Sequence, residues 1–222
     1  MSSHHIVIDG QEPALIIANG EIGDRNLIDQ LLEWNPFVIV LDGALKKIQH
    51  LNIKIDLVLG DFDHWNVDEI RELVQPNTQI IQIINQDKTD LEKGIEYLIE
   101  NNYHAANIIG ATGKRSDHYL NNISILGRYH SKIKLVMLDD YSKIYILDKD
   151  FKKYYSKNTN ISLIPLQKVE NISTKNLQWN LTDDVLEYPY KTSSSNRVKE
   201  DGMVEINYNN GLLLMLECWD ND

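Results

Sequence analysis

The 222-residue chain holds a single cysteine, Cys218. No internal disulfide is possible, and a zinc site built from thiolates is excluded. A lone thiol fits a reducing compartment, so a cytoplasmic location is expected. Basic residues are scarce too: 22 Lys and Arg face 33 Asp and Glu, a formal net charge of −11. That balance argues against a nucleic-acid partner, whose phosphate backbone is bound through basic patches. It does not oppose a cationic small molecule or a metal ion. No run of about 18 apolar residues occurs, so no membrane span is expected. The opening MSSHHIVIDG lacks a basic stretch followed by an apolar one. It does not read as a signal peptide, and His4 and His5 read as a solvated terminus. No internal repeat or low-complexity tract is present, and no linker rich in Pro, Gly or Ser separates the two halves.

What is present is a regular alternation. Apolar runs at 14–19, 37–42, 56–61, 79–84 and 105–110 read as strands. Between them lie amphipathic stretches at 24–34, 44–51, 67–74, 90–102 and 117–129. Leu27, Leu31 and Trp34 share one helical face, as do Leu91, Ile95, Leu98 and Ile99. Asn66 with Glu69, and Thr89 with Glu92, have capping-box spacing. Repeated β–α units predict an α/β domain with a mostly parallel sheet covered on both faces. After residue 131 the pattern changes to short strands between turns: KIKLVMLD, KIYILD, KKYYS, NISLIPL, MVEINY and LLLMLE. These predict a small antiparallel β-sandwich or barrel. The expected division is an α/β domain over 1–140 and a β domain over 141–222.

Four stretches of the first half stand at strand ends: LDGA with Asp42, GDFD with Asp61 and Asp63, NQDKTD with Asp87, Thr89 and Asp90, and GATGKRSDH. A parallel sheet sets its carboxyl ends along one edge, so these groups are expected to converge. Two carboxylates ~5 Å apart repel by roughly 3 kcal/mol at an effective dielectric near 20. A cation relieves that, and Mg²⁺, which takes hard oxygen ligands, waters and phosphates, suits the set. Asp61 and Asp63 are the candidate direct ligands. Each stretch has a plainer reading: a turn at Asp42-Gly43, a cap at Thr89, a strand-to-helix link at GATGKRS. The last opens a helix, where free N–H groups and the dipole attract phosphate. It is not a P-loop, because Arg115 follows Gly113-Lys114 where Ser or Thr is required. Arg115 is suited to clamp phosphate or to pair with Asp117. In the second half, Trp179 in NLQWNL is either a core residue or a stacking platform for a flat or cationic ring. The serines of SSSNRV form a solvated turn or supply hydroxyls to a polar ligand.

Taken together and in order, IIANGE, LDGA, GDFD, QDKTD, GATGKRSDHYLNN, LQWNL and SSSN resemble the motifs of the thiamin pyrophosphokinase family over nearly the whole chain. The resemblance implies a Rossmann-like α/β domain followed by a β-sandwich, in a homodimer with active sites at the subunit interface. It implies transfer of diphosphate from ATP to thiamin, with Mg²⁺ and release of AMP. Carried over, Asp61 and Asp63 hold Mg²⁺, and Asp42, Asp87 and Asp90 complete the acidic edge. Nucleotide contacts fall to Thr89, Gly110, Thr112, Gly113, Lys114 and Arg115, with Asp117 nearby. Trp179 lies against thiamin, with Ser193, Ser195 and Asn196 around it. Three positions depart from the family pattern: Ala44 for the second Gly of Asp-Gly-Gly, His64 for a Ser, and Lys114 for a Gly before Arg115. A pyrophosphokinase for another primary alcohol such as a hydroxymethyl pterin, a non-catalytic nucleotide or thiamin sensor, and a Mg²⁺-dependent phosphatase are the alternatives.

Overall fold

A computed structural model describes residues 12–63 and 66–219. His4, His5 and His64 lie outside the described residues. The chain divides into two compact units, one through Ile125 with Tyr129–Asp139, the other Leu126–Arg128 with the chain from Asp140.

The first unit alternates strand and helix. Its strands are β1 (Ala14–Ile17), β2 (Val38–Leu41), β3 (Leu57–Gly60), β4 (Gln79–Gln82), β5 (Ala105–Ile109) and β6 (Lys134–Leu138). Its helices are α1 (Arg25–Leu32), α2 (Leu45–Ile48), α3 (Val67–Leu73), α4 (Asp90–Glu100) and α5 (Ser116–Tyr129). The strands pair in parallel in the order β4-β3-β2-β1-β5-β6. Strands β1, β2 and β3 are buried throughout, which is why they are continuous apolar runs. Alternation divides their side chains between two layers. Leu15, Ile17, Val38, Val40 and Val58 form one core with Ile28 of α1, Leu45 and Ile48 of α2, and Ile70 of α3. Ile16, Ile39 and Leu41 point to Gly94 of α4, where a Cβ would stand only 3.3 Å from Leu41. Both expected capping boxes form, at Asn66–Glu69 and Thr89–Glu92.

Two expectations are corrected. Helix α1 stops at Leu32, and Trp34 is exposed rather than part of the buried face. The next residue, Asn35, takes a positive φ of 49° and turns the chain away before another helical turn forms. The segment KIKLVMLD, grouped above with the antiparallel strands, supplies β6, which runs parallel to β5. A short apolar run carries no mark of its partner's direction.

The second unit is antiparallel: β7 (Ser142–Ile146), β8 (Asp150–Tyr155), β9 (Asn160–Lys175), β10 (Asp184–Leu186), β11 (Ser193–Arg197), β12 (Gly202–Asn207) and β13 (Asn210–Cys218). Its order is β7-β13-β9-β12-β8, with β10 and β11 also paired to β9. At 16 residues β9 is much longer than NISLIPL suggested. Its register shifts against β10, β11 and β13, so bulges let one strand serve several partners. Within the core side of this unit, Glu217 is 9 % exposed and accepts from Tyr145, Tyr155 and Lys153 at 2.7–2.9 Å. Burial alone raises its pKa, but those three donors outweigh it and hold the carboxyl below its ordinary value.

Candidate active site

Strand order in the first unit reverses beside β1: β2, β3 and β4 run outward on one side, β5 and β6 on the other. Chain segments diverge at such a switch point and leave a crevice beyond the carboxyl ends of the strands. A cavity of about 470 Å³ lies there, lined from the ends of β1, β2, β3 and β5 and the start of α4.

Close backbone approach builds its floor. Gly20 N–H donates to Gly110 O at 2.5 Å, and Glu21 N–H to Thr112 O at 3.0 Å. Gly110 has φ +68°, and a Cβ there would stand 2.2 Å from Ala18 O. Gly113 and Lys114 follow with φ of 72° and 54°. These left-handed residues curl the loop back to the start of α5. Lys114 adopts a conformation that glycine takes freely, so the Gly that the resemblance implies at this position would fit without strain. Ala44, by contrast, is fully buried with φ −82°, an ordinary right-handed geometry that does not need glycine. Asn122 of α5 clamps the loop by donating to Ala111 O at 2.8 Å. No side chain caps α5, so its first N–H groups suit an anion.

The GDFD turn has its own device. Phe62 is 4 % exposed, joined to the core, and has φ +56°. An aromatic residue held there costs on the order of 1–3 kcal/mol, and burial of the ring sustains it. The turn leaves Asp61 half-buried on the cavity lining and Asp63 exposed, with Asp63 N–H donating to Asp61 Oδ1 at 3.4 Å. Asp42 packs against Gly60, where a Cβ would stand 2.4 Å from that of Asp42.

Of the residues expected from sequence, Asp61, Thr89, Asp90, Gly110, Thr112, Gly113, Lys114 and Arg115 line the cavity. Asp42, Asp63, Asp87 and Asp117 lie outside its lining. Among the described residues no three His, Cys, Asp or Glu group into a metal cage. The lining carries Lys88, Lys93, Lys114 and Arg115 against Asp61 and Asp90, a positive balance in an acidic chain. Lys93, 3 % exposed, donates to Asp90 Oδ1 at 2.9 Å. Arg115 forks onto Asp117 at 3.1 and 2.5 Å. The Arg115 hydrogen bond takes the Asp117 carboxyl down to about 2, and the same bond raises Arg115.

Lys88, Lys93 and Lys47 are not among the site residues expected from sequence, although Lys88 stands within NQDKTD itself. Lys93 had a signal, since it stands one helical turn from Asp90. Lys47 had none. It donates to the carbonyls of Asn19 and Gly20, and Lys114 reaches the same Asn19 oxygen at 3.2 Å. Burial, then the contact with Lys114, lowers the Lys47 pKa to about 8 against the opposing pull of Glu21.

In the second unit Trp179 is 59 % exposed at a bend, which overturns the core reading. Ser193, Ser195 and Asn196 lie in strand β11 rather than a solvated turn. Asn196 is 2 % exposed.

Comparison with known proteins agrees with both units. The model of the thiamin pyrophosphokinase catalytic domain matches residues 28–137, and that of the thiamin pyrophosphokinase vitamin B1 binding domain matches 146–213. The thiamine pyrophosphokinase of Bacillus subtilis is 32% identical over 160 residues, 66% of this chain and 72% of that protein. This chain belongs to the thiamin pyrophosphokinase family. Thiamine pyrophosphokinase 1 of Oryza sativa subsp. japonica is 29% identical over 165 residues, 68% of this chain. That match spans 62% of the rice protein's length. The crystal structure of the Bacillus subtilis enzyme superposes with a TM-score of 0.81 at 22% identity, covering 94% of this chain and 99% of that one. The fold is therefore that of this family: parallel strands first, antiparallel strands after.

Proposed function

We propose that this chain transfers a diphosphoryl group from ATP to the hydroxyethyl oxygen of thiamin, giving AMP and thiamin diphosphate. The observation that carries the reading is the cavity at the switch point, cationic in balance and walled by a left-handed glycine loop that opens α5. In an acidic chain such a lining favours a polyphosphate over a cationic ligand. The first unit is then Rossmann-like in use, with residues 1–140 as the catalytic domain and 141–222 as the thiamin-binding domain.

In this reading the loop from Gly110 to Arg115, with Thr112, Gly113 and Lys114, holds the triphosphate through N–H groups and cations. Thr89 and Asp87 border the nucleotide. Arg115 exchanges Asp117 for phosphate oxygens. The thiamin hydroxyl oxygen bonds to the β-phosphorus as the bridge from β-phosphorus to the α-phosphate oxygen breaks. AMP leaves with that bridging oxygen. Asp90, held by Lys93, takes the hydroxyl proton. Transfers of this kind ask the protein mainly for position and charge stabilisation.

The donor set fits Mg²⁺. The ion commonly uses one or two protein carboxylates and leaves its other positions to water and phosphate, so no three-carboxylate cage is needed. Asp61 and Asp63 would hold it, with Asp42 behind them. Bound there, it would neutralise charge on the transferred diphosphate. Trp179 offers its exposed face to the thiamin ring, with Ser193 and Ser195 beside it. A homodimer and a cytoplasmic setting complete the reading; the family resemblance supports the first and the lone thiol the second.

The test is AMP release from Mg-ATP with thiamin, with a hydroxymethyl pterin, or with no acceptor. AMP with thiamin alone supports the reading. AMP with the pterin alone identifies another pyrophosphokinase, and phosphate release without acceptor identifies a hydrolase.

A further inference from the structure

The two motifs of the second unit, LQWNL and SSSN, are joined by one side chain. Asn196 Oδ1 accepts from Trp179 N–H at 3.2 Å and from Arg197 N–H at 2.9 Å. Its Nδ2 donates to Trp179 O at 2.8 Å and to Ser193 Oγ at 3.1 Å. An amide offers two donors and two acceptor sites, and all four are used. At 2 % exposure, no face remains for a ligand. The residues before Trp179 are pinned as well: Gln178 N–H donates to Arg197 O at 2.8 Å, and Leu177 N–H to Asn180 Oδ1 at 3.1 Å. The result is a backbone fixed on both the N–H and C=O of Trp179 while its indole stays 59 % exposed. A preorganised aromatic face lowers the entropy lost on binding a flat ring.

We propose that Asn196 is a positioning residue that acts on thiamin through Trp179, and that it does not touch the substrate. The proposal rests on the reading above, in which Trp179 receives the thiamin ring. It differs from what the resemblance implies at this position, which groups Asn196 with the residues around thiamin.

Steady-state kinetics on the full chain test it. Asn196→Ala frees both Trp179 backbone groups and should raise the KM for thiamin about tenfold, the order expected for loss of a fixed aromatic contact. Because the clasp does not reach the reacting atoms, the KM for ATP and kcat at saturating thiamin should change by less than about twofold. In a Trp179→Ala background the same substitution should add less than about twofold to the KM. A tenfold rise in both backgrounds would mean direct contact and overturn the proposal. Asn196→Asp keeps the accepted bonds, loses the donated ones, and should fall between wild type and Ala; it serves if Ala does not fold. A second readout needs no substrate. With 5-fluorotryptophan incorporated, the ¹⁹F resonance of Trp179, assigned by its loss in Trp179→Phe, should shift or broaden in the Asn196 variants. The Trp34 and Trp219 resonances should hold. An unmoved Trp179 signal refutes the clasp. Wild-type protein that releases no AMP with thiamin refutes the functional reading instead, and the ¹⁹F result still decides whether Asn196 positions Trp179.

Discussion

Replacing Lys47 with arginine should flatten the pH dependence of ATP use. The Lys47 ammonium binds the Asn19 and Gly20 carbonyls at the floor of the cavity, beside Lys114. Burial and that neighbouring cation bring its pKa to about 8. Lys47 itself is not among the lining residues, so its charge reaches a bound phosphate through the floor. It is about nine-tenths charged at pH 7 and about one-tenth at pH 9, so kcat/KM for ATP should fall by up to about tenfold between them. The phosphates of ATP contribute little, since their last proton is lost near pH 6. Arginine stays charged throughout, with a pKa above about 12, so Lys47→Arg should hold a level profile to pH 9. Stability moves the other way. A lysine whose folded pKa lies below its unfolded value of 10.5 weakens the fold while protonated, and the penalty lifts as pH rises from about 8 towards 10.5. Initial rates at limiting ATP, with urea midpoints over the same range, read both effects. A tenfold fall that persists in Lys47→Arg, or a wild-type profile flat to pH 9, refutes the reasoning.

Asp61→Asn should cut turnover by about a hundredfold, the order of one lost electrostatic group in a transfer site. Near-normal turnover at saturating Mg²⁺ would remove Asp61 from the metal. Asp90→Ala strands the buried Lys93 ammonium and should lower the free energy of urea unfolding by about 3 kcal/mol. Adding Lys93→Met should recover most of that, and a double variant as unstable as the single would show that the ion pair is not the cause. Gly60→Ala drives a Cβ to within 2.4 Å of Asp42 Cβ, so it should cost about 1–3 kcal/mol, read from the urea midpoint, and weaken activity. Wild-type stability and rate would show that the strand moves aside without effect.

Much of the first unit was legible because local signals and packing agree. Capping boxes at Asn66 and Thr89 and continuous apolar runs at β1 to β3 mark element and layer together. Glycines at 110 and 113 announced a turn in the left-handed region, whereas Gly60 is still a residue of β3 and answers to the close approach of Asp42. The second unit was less legible. The length of β9 depends on partners far along the chain, and β11 is built from serines that favour turns when taken alone. The acidic motifs drew attention to carboxylates, although Lys88, Lys114 and Arg115 of the cavity lining stand within NQDKTD and GATGKRSDH themselves, with Lys93 just beyond the first. Lys47 reaches the floor through a carbonyl 28 residues away, a contact no spacing rule encodes. Asn196 is a similar case: an amide beside serines in sequence gives no sign that four hydrogen bonds within the protein engage it.

The most direct measurement is chromatography of nucleotide and thiamin species from Mg-ATP with the 222-residue chain, with and without thiamin. AMP and thiamin diphosphate should form in equal amounts, and neither when thiamin is left out. ADP as the nucleotide product, or AMP formed equally without thiamin, would contradict it.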